Sequence, residues 1–156
     1  MKKLLKHIVY TASLLMFATQ ASAWVSEGFV PANVSKINVG MDDNAEGGCW
    51  TNIGEVKRYT EDKLELAGFT IQRDKFEYYE GKNHFVFGVV ITAKRNNGKC
   101  YGEISMYIMK ITAEDNMYAK FVVGEYGSIF NGYDNVNQFT LELVGGFMKE
   151  VEDPQW

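Results

Sequence analysis

Apolar and polar residues alternate along two neighbouring stretches in the middle of the chain, which predicts two β-strands. Over residues 85–93 both faces are apolar, a pattern typical of a central strand that is covered on two sides. Residues 99–111 follow with one apolar face. The opposite face of this second strand is polar and carries Glu103, Ser105 and Tyr107. Asn97-Gly98 stands between the two stretches and favours a type I′ hairpin, so the strands are expected to pair antiparallel.

Shorter strands are predicted around this pair, because brief alternating or apolar segments are bounded by turn residues. Their predicted ranges are 35–41, 69–72 and 117–126, the last after a turn at Asp115-Asn116. Segments rich in glycine, asparagine, proline or acidic residues are predicted to be extended or irregular. These segments are 24–33, 42–48 and 127–135.

Two segments have helical periodicity. The first predicted helix begins after Thr51 or Asn52, either of which can cap it, and Asn52 has capping-box spacing to Glu55. Its apolar face is formed by Ile53, Val56, Thr60, Leu64 and Ala67. Gly68 follows at the position of a helix stop. The second helix ends before Pro154, and its predicted apolar stripe is Val136, Phe139, Leu143, Phe147 and Val151.

These elements follow one another in the order β-α-β-β-β-β-α. The order predicts an α+β fold: a mixed, mostly antiparallel sheet of about five strands, with two helices packed on one face. The order of the strands within the sheet stays open, because the loop lengths allow several arrangements.

Residues 1–23 predict an export signal. Lysines near the N-terminus precede a mostly apolar stretch over residues 8–18, and an A-x-A cleavage site follows at 21–23. The apolar stretch is shorter than the roughly 20 residues that cross a membrane. We therefore expect residues 24–156 to form a single periplasmic or secreted domain, with no stable membrane insertion after removal of the signal.

The charge balance of the chain is acidic. The chain has 16 basic and 20 acidic residues, and the predicted signal holds three of the lysines and no acid, which leaves 16 − 3 = 13 basic residues. An acidic surface repels the phosphate backbone of nucleic acids. Nucleic acid is therefore not expected as a partner.

Cys49 follows two glycines and precedes Trp50 at the predicted helix start, an arrangement that also occurs in papain-like thiol enzymes. The papain pattern fails, because Glu46 stands where a second cysteine belongs and His84 is the only downstream histidine. Cys100 is the one other cysteine, so in an exported protein the sequence predicts a structural disulfide between Cys49 and Cys100. Trp50 is then expected to be a core or lid residue beside the disulfide.

No metal site, cofactor or catalytic residue is predicted. The acidic loop that starts at Asp42 has calcium-loop spacing in part, but the twelfth position is the apolar Ile53 instead of a glutamate. A weak calcium site remains an alternative to a solvated loop. His84 has no second histidine or free cysteine with which to bind zinc, so we expect it at the surface. Glu61-Asp62 is expected on a charged helix surface, and no hydrolase, phosphate-loop or dinucleotide motif occurs.

Two regions are predicted to bind a partner. Aromatic residues are concentrated in a predicted loop at Phe76, Tyr78 and Tyr79, and aromatic side chains are enriched in interfaces. The wetter sheet face with Glu103 and Tyr107 is the second region. The alternative for the loop is that its aromatic side chains close one end of the core. The same question applies to Tyr126, Phe130 and Tyr133.

The helix and the segment after it read VKxYxExxLxxAGxxI over residues 56–71. With this motif, the chain resembles a group of small, mostly uncharacterised exported bacterial proteins, and it is similar to the N-terminal domain of the TolB family. The resemblance implies an α+β module that makes protein–protein contacts in the periplasm, and it brings no catalytic residues.

The function predicted from the sequence is therefore that of a non-enzymatic binding or accessory domain that contacts another envelope protein. The alternatives are a small-ligand or ion carrier and an inhibitor or immunity-type protein. A thiol enzyme is the least favoured interpretation, since it needs a free Cys49.

Overall fold

The computed structural model describes residues 24–73, 84–114 and 117–152. They form five strands and two helices, with a short 3-10 turn at Pro31–Asn33. The elements in chain order are β1 (Trp24–Val25), β2 (Lys36–Ala45), α1 (Ile53–Leu66), β3 (His84–Asn96), β4 (Lys99–Glu114), β5 (Met117–Tyr133) and α2 (Asn137–Glu152). The predicted signal segment and the aromatic segment with Phe76, Tyr78 and Tyr79 lie outside the described residues.

All five strands join one mixed sheet in the order β1-β5-β4-β3-β2. β2 runs parallel to β3, and the other neighbouring strands are antiparallel. The turn between β3 and β4 has positive φ at both Asn97 (48°) and Gly98 (78°), as a type I′ turn requires. The predicted hairpin and the predicted α+β architecture are therefore confirmed.

One face of the sheet is buried beneath both helices. Its fully buried side chains on β3 and β4 are Phe87, Val89, Ile91, Ile104, Met106 and Ile108. The Phe87 ring lies 5.5 Å from the ring of Phe147 on α2, and Val56 and Leu64 bring α1 into the same core cluster. Each such side chain stabilises the fold by about 1.5–3 kcal/mol through removal of apolar surface from water.

The second helix buries only part of the predicted stripe: Val136, Phe147 and Val151 are buried as predicted. Its buried residues are Thr140, Val144, Phe147, Met148 and Val151. The predicted stripe residues Phe139 and Leu143 are only partly buried, and Phe139 packs against Phe130 and Tyr133 at the end of β5. Both stripes satisfy the helical period, so the sequence pattern left the rotation of the helix open. Neither described helix has the length and hydropathy of a membrane-spanning segment.

The predicted disulfide between Cys49 and Cys100 is present, and both residues are fully buried. It joins the loop before α1 to the start of β4. Arg95 holds the same loop, since its Nε donates a hydrogen bond of 2.6 Å to the carbonyl oxygen of Gly47. Trp50 is buried beside the disulfide, as expected. A cysteine held in a disulfide is not a nucleophile.

The observed strands differ from the predicted ones in four places. β2 continues through Ala45, so most of the predicted acidic loop is strand, and β5 continues to Tyr133 through most of the predicted bend. The predicted strand at 69–72 contributes one isolated bridge, from Ile71 to β2, while Trp24–Val25 supplies the fifth strand. These segments, rich in glycine, asparagine and acidic residues, are extended because backbone hydrogen bonds to neighbouring strands outweigh the low β-propensity of their residues.

Two polar side chains predicted at the surface are buried, so both predictions are wrong. His84 is 4% exposed and lies between Lys36 of β2 and the buried Ile111 of β4 in the strand register. Glu61 is 7% exposed and lies 3.4 Å from the Arg73 guanidinium. Glu61 borders the buried stripe of α1, and its ion pair with Arg73 offsets part of the cost of burying the carboxylate.

Candidate functional site

The face of the sheet opposite the helices carries the predicted contact residues of β4. Because side chains alternate along a strand, Glu103 and Tyr107 point away from the buried Ile104 and Ile108. Glu103 is exposed and Tyr107 is half-buried. The predicted wetter face of β4 is therefore confirmed.

The strand register places residues from the four other strands on the same face as these two. Tyr107 lies opposite Gly88 on β3 and Glu125 on β5, and Glu125 lies opposite Trp24 on β1. Asp42 on β2 pairs with β3 two residues beyond Gly88. Directly opposed residues share a face. We call the surface formed by Trp24, Asp42, Glu103, Tyr107 and Glu125 the open face.

Tyr107 extends across β3 because a glycine lies beneath it. A Cβ atom at Gly88 would overlap the Tyr107 ring, so any other residue there would displace the ring. Gly40 pairs with Gly88 on the adjacent strand β2 and also leaves space above the sheet. Burial raises the pKa of Tyr107, and the negative charge of Asp42 adds to that rise. The ring is thus held at the centre of the open face, within electrostatic reach of Asp42.

The open face combines aromatic and acidic side chains. Trp24 is 46% exposed, and Asp42, Glu103 and Glu125 are all exposed. Aromatic rings supply large contact areas with little rotamer entropy to lose, while carboxylates attract lysine and arginine. The described residues thus place aromatic and acidic side chains together on one sheet face, an arrangement that can serve as a binding surface.

Replacing Asp42 with asparagine is expected to lower the pKa of Tyr107, because one of the two causes of its elevation is removed. Burial remains, so the pKa stays above the usual tyrosine value of about 10. A pH titration followed by tyrosine NMR tests this, with Tyr107→Phe used to assign the signal. Asp43→Asn is the matched control, since Asp43 pairs with Ile91 on the buried side of the sheet.

The same elevation links Tyr107 to stability at high pH. The pKa of Tyr107 in the folded state lies above the unfolded value. The contribution of neutral Tyr107 to the free energy of unfolding is therefore fully present below about pH 10, and it is lost as the pH rises through the folded-state pKa. If Asp42→Asn and Asp43→Asn shift the Tyr107 titration equally, the direct coupling between Asp42 and Tyr107 is contradicted.

The acidic segment considered for calcium is divided between the two faces of the sheet. Asp42 belongs to the open face, whereas Asp43 accepts a hydrogen bond of 2.9 Å from the backbone N–H of Ala45. The strand period of two separates these carboxylates. In residues 24–73, 84–114 and 117–152, no group of three or more histidine, cysteine or acidic side chains is placed to hold a metal ion.

A surface groove of about 590 Å³ runs between α1 and α2. Gly145 lets the helices approach, because a Cβ atom there would lie 3.0 Å from the Tyr59 hydroxyl. The charged residues that line the groove are Glu55, Lys63, Glu142, Lys149 and Glu152. Both signs of charge are present, so the groove favours no single class of ligand.

The aromatic residues near the end of β5 belong mainly to the core. Phe130 is 3% exposed, and Tyr126 stacks on Phe147 of α2. Tyr133 is 40% exposed and stacks on Phe139. These rings therefore close one end of the hydrophobic core, which answers the question that their sequence pattern raised.

Sequence reasoning missed Trp24, Asp42 and Glu125 as members of the open face. Trp24 and Asp42 fall in segments that were predicted to be extended or irregular, so neither was assigned to a face of the sheet. Their common location depends on the register of all five strands, and no sequence pattern specifies that register.

No protein-family model matches the sequence, and no curated protein matches it significantly. Among solved structures, the PelC dodecamer from Paraburkholderia phytofirmans aligns with a TM-score of 0.50 at 10% identity, over 87% of this chain and 99% of that chain. An uncharacterised protein aligns with a TM-score of 0.33 at 14% identity, over 76% of this chain and 86% of that chain. The likeness to PelC concerns the fold alone, and the resemblance to TolB-type domains stays a prediction.

Proposed function

We propose that the protein is a non-enzymatic accessory domain of the bacterial envelope, periplasmic or secreted, that binds another envelope protein through the open face. One observation carries this proposal: the sheet face opposite both described helices exposes aromatic and acidic side chains together. Exposed apolar surface rimmed by polar residues is typical of protein interaction sites.

The charges of the open face indicate the chemistry of the partner. Asp42, Glu103 and Glu125 come from three different strands and share the sheet face that carries Tyr107. A complementary surface presents lysine or arginine beside apolar groups, because the cations pair with the carboxylates and can also stack on Trp24. The part of the partner surface that contacts these carboxylates is therefore expected to be basic.

Two further observations support an extracytoplasmic binding role. The buried disulfide between Cys49 and Cys100 is typical of oxidising compartments, in agreement with the predicted export signal. A protein of the same fold, PelC, is described as a dodecamer, so this fold can support contacts between protein chains.

A small-ligand or ion carrier is a second candidate, favoured by the groove between α1 and α2. We prefer the binding domain because the groove carries mixed charges and is open to solvent. An inhibitor or immunity-type role would be a special case of the proposed function, in which the partner is a hydrolase.

The test is a binding assay on the disulfide-bonded protein, in which partners captured from periplasmic extract are identified and the complex is reconstituted with the purified partner. Trp24→Ala combined with Glu125→Gln is expected to weaken binding more than about tenfold, since an aromatic hot-spot residue and an attracting charge are both lost. Higher salt is expected to weaken the wild-type complex as well.

The control variant is Leu66→Ala, because Leu66 is 81% exposed at the end of α1, away from the open face. Tyr78→Ala with Tyr79→Ala tests the aromatic segment separately. If the open-face variant retains wild-type affinity while the tyrosine variant loses it, the open face is not the contact surface. Equal binding by every variant would contradict both predicted regions.

A further inference from the structure

The outer edge of β5 is only partly paired. β4 pairs with β5 along its length, whereas β1 covers only Gly124 and Glu125 on the other side. Beyond Glu125, no strand in the described part of the chain pairs with this edge. Among the described residues, 126–131 therefore form an edge segment without a partner strand on this side, and we call it the free edge.

The direction of the backbone groups on the free edge follows from one hydrogen bond. The N–H of Ser26 donates to the carbonyl oxygen of Val123 at 2.7 Å, so Val123 turns its backbone groups towards β1. The β4–β5 register is regular from Gly124 to Asn131. Every second residue from Glu125 onward therefore also turns its backbone groups to the side of the sheet where β1 lies. Gly127, Ile129 and Asn131 therefore direct their N–H and C=O groups outward, as an unpaired edge strand does.

The side chains of the free edge lack the features that usually prevent strand addition. Between Tyr126 and Tyr133 the sequence has no charged residue and no proline, although natural edge strands commonly carry them. Ile129 is 82% exposed on this edge. The segment is bounded by β1 at one end and by Gly132, which has a φ of 82° beside a register shift, at the other.

We propose that two copies of this chain pair through their free edges, with β5 antiparallel to β5 about a two-fold axis at Ile129. Gly127 of each copy then lies opposite Asn131 of the other, and both backbone hydrogen bonds form at every such pair. The sheets of the two copies become one continuous sheet. This proposal goes beyond the proposed function and does not require it.

A second copy fits this edge for two reasons. The outward-directed residues are spaced evenly about Ile129, so the segment is complementary to itself in an isologous contact. The chain is acidic overall, with 20 acidic against 16 basic residues, so close approach of two copies is opposed over much of the surface. The free edge carries no charge, and pairing there brings no like charges into opposition.

Analytical ultracentrifugation of the oxidised protein over a range of concentrations measures the association. Ile129→Lys is expected to raise the dimer dissociation constant about tenfold or more, because it places two like charges at the axis. Val122→Lys is the matched control, since Val122 is an exposed aliphatic residue of β5 on the far side of β1. Urea unfolding confirms that both variants are folded.

Cysteine cross-linking tests the register. Opposed residues of a hydrogen-bonded antiparallel pair have Cα atoms about 5.5 Å apart, within disulfide range. Ile129→Cys is therefore expected to form a covalent dimer under mild oxidation. Asn131→Cys is expected to form none with itself, since the two copies of this position are displaced by about 13 Å along the strands. Cys49 and Cys100 are fully buried and do not interfere.

A monomer at every concentration, together with no preference for cross-linking at Ile129, would overturn the proposal. A dimer that is unaffected by Ile129→Lys would also overturn it, because the contact would then use another surface. Neither result bears on binding of a basic partner by the open face, which is measured with Trp24 and Glu125 variants. Failure of this proposal is thus distinct from failure of the proposed function.

Discussion

Replacement of Cys49 and Cys100 by alanine is expected to lower the free energy of unfolding by about 4 kcal/mol. The two cysteines are 51 residues apart in sequence, and in the chain-entropy description a cross-link of this span restricts the unfolded chain by about that amount. The folded geometry should persist, because Arg95 also holds this loop through hydrogen bonds to Gly47 and Gly48. The loss is therefore expected to arise mainly in the unfolded state.

Urea unfolding of the oxidised wild type, the reduced wild type and the double alanine variant measures this effect. The reduced wild type retains both sulfur atoms, so it separates loss of the cross-link from loss of packing. Addition of reductant should destabilise the wild type and leave the double variant unchanged. Equal stability of oxidised and reduced wild type would contradict the predicted role of the disulfide.

Gly102→Ala is expected to destabilise the protein by about 3 kcal/mol, the upper range for a side chain forced into packed structure. A Cβ atom at this position would overlap the backbone carbonyl oxygen of Thr92 and lie 2.8 Å from the Cα atom of Ala93. Both obstacles are backbone atoms of β3, which is held between β4 and β2, and cannot rotate away. The substitution must therefore separate β3 from β4 locally.

Gly127→Ala provides the comparison, since it makes the same chemical change on β5. The nearest atom to a Cβ at Gly127 is the carbonyl oxygen of Ile104 at 3.4 Å, which is an ordinary contact. Its effect on the free energy of unfolding is expected to stay within about 0.5 kcal/mol, as for most surface substitutions. The two variants should differ in thermal midpoint, and equal midpoints would show that β3 can move to accept the Cβ of Gly102→Ala.

The secondary structure was predictable where local pattern and tertiary environment agree. The β3–β4 hairpin is such a case, because strand alternation and Asn97-Gly98 lead to the same result. Asn52 stands at the predicted N-cap of α1, although its side chain donates to Glu55 instead of accepting from a backbone N–H. Predictions failed for the ends of β2 and β5, since long-range pairing extends strands through residues of low β-propensity.

The candidate site was predictable only in part. The alternation of β4 assigned Glu103 and Tyr107 to one face, and the structure agrees. The aromatic segment of Phe76, Tyr78 and Tyr79 lies outside the described residues, so its role stays a prediction. His84 and Glu61 were misplaced, because burial of a polar side chain depends on neighbours that are distant in sequence.

The sequence by itself determined the local features of this protein: the type of most elements, the two faces of β4 and the pairing of Cys49 with Cys100. The elements and the faces of β4 follow from short-range sequence periods. The disulfide follows because Cys49 has one other cysteine to pair with. Only the tertiary structure decided that Trp24, Asp42 and Tyr107 share a surface and that part of the β5 edge has no partner strand among the described residues. These features depend on strand register and order, which are set by packing between segments far apart in the chain.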